Sequence, residues 1–280
     1  MSKIIIGIHG LGNKPTEKKL YRNGWKKAIL EGISHNLGIT GRDINFEGVY
    51  WADKMYKSPD TDADTYRKAK AGTIKTYKDG FFDDVISPIE NVIGSGIDWF
   101  KKTFSVNDLA DAAIKKKLKD LDRYYNDEAK RTELVEQLKS VLREHADKRI
   151  LLVAHSMGSI IAYDALRELG RTDGNLNIEH FVTIGSPLGL PHIVGKIRKT
   201  HGSVKTPTVV KRWTNYADRR DPVAADERLA DDFSPNFAGI TVTDDLVLND
   251  WRVKEGIDIY HKSYGYLRTP EVTNAMVAFL

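Results

Sequence analysis

The 280-residue chain contains no cysteine. Disulfide frameworks, thiolate metal sites and cysteine nucleophiles are therefore excluded, and covalent chemistry has to run on another side chain. An excess of charge of one sign is also missing. Forty-three basic and 39 acidic residues leave a formal +4, spread along the sequence, too dilute to form the basic footprint of a nucleic-acid-binding protein. No apolar run approaches the ~20 residues of a membrane-spanning helix. The N-terminal run from Ile4 to Ile8 is shorter than the ~7–15 residues of a signal-peptide core, so a cytoplasmic protein is expected. What is present in quantity is ordinary: 41% hydrophobic and 29% charged residues describe a globular chain.

Short apolar runs bounded by turn residues alternate with helical periodicity, the pattern of βαβ units around a parallel sheet. Strands are expected near Ile4–His9, Ile44–Trp51, Ile150–Ala154, His180–Ile184, Val209–Asn215 and Ile240–Leu248. The first four are apolar enough to be buried on both faces. Helices are expected over Leu20–Ile33, Glu128–Ala146 and Met157–Leu169, the last closed by Gly170. The reading is a single α/β domain over residues 1–280.

The alternation breaks after the second strand. A crossover between parallel strands needs only ~12 residues, yet nearly a hundred separate Trp51 from Ile150. Within residues 54–126 lie many aromatic residues and apolar positions at helical spacing, among them Val85, Ile89, Ile93 and Phe100, with Gly94 and Gly96 as a candidate hinge. A helical insertion with one apolar face at this point in the chain is expected to cap a site. A subdomain packed on the flank of the sheet would show the same pattern.

The segment Ile150 to Ile161 carries the most chemistry. An apolar run ends in Ala154-His155-Ser156-Met157-Gly158 and passes directly into a helical pattern. A serine on so sharp a strand-to-helix turn takes a strained backbone and projects its hydroxyl above the sheet. The Met157 N–H, at the start of the helix, is then aimed where an oxyanion would form. A serine nucleophile needs a base, and the base needs an acid to hold it in the right tautomer. Of two aspartates after the fifth strand, Asp221 is preferred, because Pro222 stiffens the loop behind it and Val223 can anchor it. Asp218 is expected to cap the turn or to pair with Arg219 or Arg220. Of eight histidines, only His261 follows Asp221, in a loop after the last expected strand, so chain order selects it. The loop after the first strand, His9-Gly10-Leu11-Gly12, can fold back to present a second N–H, that of Leu11, with His9, Gly10 and Gly12 supporting it.

Together these residues resemble the α/β-hydrolase family, and within it the serine esterases and lipases with a His-Gly motif at a strand end. Gly185-Ser186-Pro187-Leu188 and Asp221-Pro222-Val223 are similar to segments of lipase-like members. Ala154 stands where the usual elbow has its first glycine. The chain opens at the oxyanion strand, so a minimal core of about six mostly parallel strands flanked by helices is implied. The resemblance implies a serine hydrolase acting on carboxylic esters through Ser156, His261 and Asp221, with Leu11 and Met157 as oxyanion donors. No metal or cofactor is called for. The implied partner is a small ester or lipid-like substrate, with no nucleic acid and no transmembrane segment; oligomeric state is not readable. A transacylase or peptidase on the same residues, or a hydrolase-shaped binding protein without catalysis, are the alternatives.

Overall fold

In the computed structural model, residues 1–63, 65–79, 120–174, 176–224, 226–251 and 260–280 are described. Six strands form one all-parallel sheet: β1 (Lys3–Ile8), β2 (Phe46–Val49), β3 (Arg149–His155), β4 (Ile178–Ile184), β5 (Trp213–Ala217) and β6 (Val242–Leu246), in the spatial order β2-β1-β3-β4-β5-β6. Parallel neighbours require crossovers, and helices supply them. A π-wound segment, Lys18–Trp25, leads into α1 (Lys26–Leu37) between β1 and β2. The short α2 (Ala52–Met55) follows β2, and α3 (Glu128–Glu144) precedes β3. Next come α4 (Met157–Thr172), α5 (Pro191–His201), α6 (Leu229–Asp232), α7 (Ser263–Tyr266) and α8 (Pro270–Phe279).

The period of two along each strand divides the core between the two faces. Ile4, Ile6 and Ile8 of β1, with Ile150, Leu152 and Ala154 of β3, pack against Leu134, Leu138 and Leu142 of α3 and Ile160 and Ile161 of α4. Ile5, Leu151 and Val153 point the other way, onto Ile29 and Ile33 of α1 and Val272, Met276 and Phe279 of α8. Burial on both faces explains why these central strands read as unbroken apolar runs. The side chain of Asp127 starts α3 by accepting from the Lys130 N–H at 2.9 Å.

Several expectations need correction. β2 is a sheet edge of four residues in which only Val49 is fully buried, so it is not covered on both faces as the other three are. The fifth strand starts at Trp213 rather than Val209: Val209 and Lys211 instead bond Ile178 at the entrance of β4, which moves the end of β5 to Ala217, directly before Asp218. Helix α4 runs through Gly170 to Thr172, and Gly170 serves close packing, since a Cβ there would sit 2.2 Å from Thr208 Oγ1. The expected helix over Leu20–Ile33 is wound in two parts and continues to Leu37, where Gly38 at φ 67° ends it.

Of the insertion expected over 54–126, residues 80–119 lie outside the described residues, and with them the cap's apolar positions and hinge glycines. Its described ends are anchored. Tyr66 and the Ala69 N–H bond the Glu31 carboxylate of α1, and Tyr124 donates to Asp164 of α4 at 2.6 Å. No helix of the described residues is long and apolar enough to cross a membrane.

Candidate active site

β3 ends at His155 and α4 begins at Met157, leaving Ser156 alone in the turn. Its backbone sits at φ 54°, ψ −130°, and among the described residues it is the one non-glycine at positive φ. Such a conformation costs on the order of 1–3 kcal/mol and persists only where its surroundings enforce it. The surroundings here are close-packed. A Cβ on Gly158 would lie 2.5 Å from the His9 carbonyl oxygen, and one on Gly10 would lie 2.6 Å from Ser156 Cβ. Helix α4 therefore sits directly on the end of β1, and the loop after β1 is drawn against the serine. No side chain larger than hydrogen is compatible with either contact.

The loops after β5 and β6 bring in Asp221 and His261. His261 Nε2 lies 2.9 Å from Ser156 Oγ, and His261 Nδ1 lies 2.8 Å from Asp221 Oδ2. Asp221 is completely buried. Its Oδ1 accepts from the Val223 N–H at 2.9 Å and its Oδ2 accepts from the Tyr266 hydroxyl at 2.7 Å. Tyr266 must be the donor there, because its oxygen already accepts the Asp218 N–H at 3.1 Å. Both carboxylate oxygens are thus acceptors, which assigns the proton of the neutral imidazole to Nδ1 and turns the Nε2 lone pair toward the serine. Burial and the neighbouring Asp221 charge push the Tyr266 phenol well above its ordinary value, so it stays a donor.

Asp218, the competing aspartate, does other work. Its Oδ1 accepts from Arg220 Nε at 2.8 Å and its Oδ2 from Arg220 Nη2 at 2.6 Å, and Oδ2 also accepts the Asn249 N–H at 2.7 Å. The expected pairing with arginine goes to Arg220, while Arg219 pairs with Glu227.

The loop after β1 is fixed by side chains of very different sequence position. His9 Nε2 accepts the Trp51 N–H at 3.2 Å, and burial, then the Lys14 charge, holds the ring well below its usual range. A neutral ring whose Nε2 accepts must carry its proton on Nδ1, which donates to the Gly10 carbonyl at 2.9 Å. A trans peptide points its C=O and N–H in opposite directions, so the Leu11 N–H faces away from His9. Lys14 Nζ donates to the carbonyls of Leu11 and Gly12. Asp120, at the return of the long excursion, accepts the Gly12 N–H at 2.9 Å and the Tyr56 hydroxyl at 2.6 Å. Among the described residues neither Leu11 nor Met157 has its N–H engaged in a hydrogen bond. No three His, Asp or Glu residues among those described converge as metal ligands.

Ser156, His261 and Asp221 thus form one hydrogen-bonded line at the ends of β3, β5 and β6, with Gly10 of the loop after β1 against the serine. Sequence reasoning missed Tyr266, His155, Asn249, Lys14 and Asp120. Of these only His155 stood inside a motif. Its Nε2–H donates to the His261 carbonyl at 2.7 Å, and its ring lies 4.7 Å from that of His261.

A parallel sheet carrying a strained serine elbow, with an acid and a histidine on later loops, is the α/β-hydrolase fold. Comparison with known proteins agrees at that level: residues 105–201 match the family described as "alpha/beta hydrolase of unknown function" (DUF900), a stretch that holds β3, the elbow, α4, β4 and α5. A crystal structure from Xanthomonas campestris pv. campestris, provisionally described as a hydrolase of the alpha/beta superfamily, is 10% identical over 99% of each chain with a TM-score of 0.36. At that score the likeness adds nothing to what this chain's own geometry shows. No curated protein matches the chain.

Proposed function

We propose that the protein is a serine hydrolase of carboxylic esters that works through an acyl-enzyme. The observation that carries the reading is the unbroken hydrogen-bonded line from Asp221 through His261 to Ser156 Oγ on a strained elbow. His261 Nε2 takes the Ser156 proton as Oγ bonds to the ester carbonyl carbon. The N–H groups of Leu11 and Met157 hold the resulting oxyanion, and the Nδ1–H to Asp221 bond steadies the imidazolium. The tetrahedral intermediate collapses by breaking the bond to the alkoxy group, which leaves with the proton from His261. Water then gives a proton to His261, bonds to the acyl carbon and displaces Ser156, which recovers its proton from the imidazolium.

Strain at Ser156 fits this role, since a φ of 54° has no use in an ordinary strand-helix turn. Hydrolysis of short p-nitrophenyl esters tests the reading. Ser156→Ala is expected to lose ~10⁴- to 10⁶-fold in kcat with the fold intact. Retention of substantial turnover by the alanine variant would remove Ser156 from the mechanism.

A further inference from the structure

The geometry points to Asn249 as the residue that positions His261, by holding the carbonyls on either side of it. The inference rests on the reading of His261 as the general base. Asn249 Nδ2 donates to the Tyr260 carbonyl at 2.9 Å and to the Lys262 carbonyl at 3.0 Å. Its Oδ1 accepts the Trp251 N–H at 3.0 Å. These partners fix the orientation of the amide, because carbonyls only accept and the backbone N–H only donates. The carbonyl between the two, that of His261 itself, accepts from His155 Nε2–H at 2.7 Å. Three consecutive carbonyls are therefore pinned, the outer two by Asn249 and the middle one by the residue preceding the serine.

Asn249 is in turn fastened to the loop of the acid. It is fully buried. Its N–H donates to Asp218 Oδ2 at 2.7 Å, and its carbonyl accepts from Arg220 Nη2 at 3.3 Å. One residue thus joins the two segments, its backbone bonded to the loop that carries Asp221 and its side chain to the segment that carries His261. An imidazole that must reach Asp221 at 2.8 Å and Ser156 at 2.9 Å simultaneously needs its Cα fixed relative to both. Neither of the two nearest side chains does this here. Aspartate has the shape but no hydrogens to donate. Glutamine is a carbon longer, and the space is closed by Gly265, where even a Cβ would come within 1.7 Å of Asn249 Oδ1.

The test uses the full chain with Asn249→Asp, and His155→Phe as a second variant that removes the middle bond while keeping a ring in place. Fluorophosphonate titration counts the active sites, and p-nitrophenyl acetate hydrolysis is expressed per titrated site. A ~1 Å displacement of a catalytic group costs ~10²-fold, so Asn249→Asp is expected to lower kcat by about that factor, with KM within about threefold. Ser156 phosphonylation should slow in parallel. His155→Phe should lose about tenfold in the same sense, one of three anchoring bonds being gone. A variant that melts earlier yet keeps wild-type kcat and labelling rate per site would make Asn249 a stabilising residue only, and the inference would fail. Should Asn249→Asp not fold, Asn249→Ser, a smaller uncharged side chain that cannot span both outer carbonyls, decides: wild-type kcat per titrated site there overturns the proposal. A wild-type protein that fluorophosphonate does not label would refute the serine-hydrolase reading itself and take this inference with it.

Discussion

At the residue scale, Asp218 and Asp221 differ by three positions and by everything that surrounds them. Asp221 faces the imidazole, whereas Asp218 spends its oxygens on Arg220 and the Asn249 N–H. Asp221→Asn should keep the shape but favour the wrong imidazole tautomer, lowering kcat by ~10⁴-fold with little change in melting temperature. Asp218→Asn leaves Arg220 in a largely buried position without its counter-charge, a loss of about 3 kcal/mol in stability. Urea unfolding and kcat measured on both variants separate the two roles, and a larger kcat loss from Asp218 would exchange them. Why Asp221 and His261 were legible and Tyr266 and Asn249 were not is physical. Ser156, Asp221 and His261 follow one another in chain order after identifiable strands. Tyr266 reaches Asp218 and Asp221, and Asn249 reaches Asp218, Tyr260 and Lys262, through hydrogen bonds spanning 11 to 48 positions, and nothing periodic in the sequence announces such bonds.

At the scale of elements, the loop after β1 is shaped as much by its neighbours as by its own glycines. His9 turns the Gly10–Leu11 peptide, and Asp120 pulls the next N–H aside. Removing the acceptor with Asp120→Ala should leave the Leu11 N–H poorly aimed and lower kcat by ~10²-fold, comparable to the loss of one oxyanion donor. Asp120→Asn, whose carbonyl oxygen still accepts, should restore most of it. Equal losses in both variants would mean that the charge, not the acceptor, matters. The loop before α6 supplies a pH-dependent counterpart. Desolvation, reinforced by Asp232, Asp244 and Asp231, pushes Asp226 from 3.8 up to about 6. The folded chain therefore holds this proton more tightly than the unfolded chain does. The group's favourable contribution is complete below pH ~4 and is lost as the pH rises through about 6. Asp226→Asn should thus raise the melting temperature at pH 7.5 and make no difference at pH 4, and a gain independent of pH would locate its origin elsewhere.

Element boundaries were the part of the fold that the sequence resolved least. Val209 to Arg212 have the composition of a strand, but the pairing register with Ile178 turns them into its approach. Gly170 reads as a helix end, while in the molecule it is the place where Thr208 comes close. Both outcomes are set by packing between distant segments, which overrides local preference.

At the scale of the whole molecule, the spatial strand order places β1 and β3 side by side, so the loop after β1 and the elbow after β3 meet across a single strand spacing. The alternation of strands and helices announced a parallel sheet, but not the order of its strands, because pairing partners leave no mark on the periodicity. The order explains the placement: central strands carry Ser156 and the loop after β1, and the strands toward the far edge deliver Asp221 and His261. The central claim is that this convergence activates one serine. Treatment of the native protein with a fluorophosphonate, followed by peptide mass spectrometry, addresses it most directly. The account predicts a single adduct on Ser156 that disappears in Ser156→Ala and forms far more slowly in His261→Ala. An unlabelled Ser156, or an adduct that forms equally fast without His261, would contradict it.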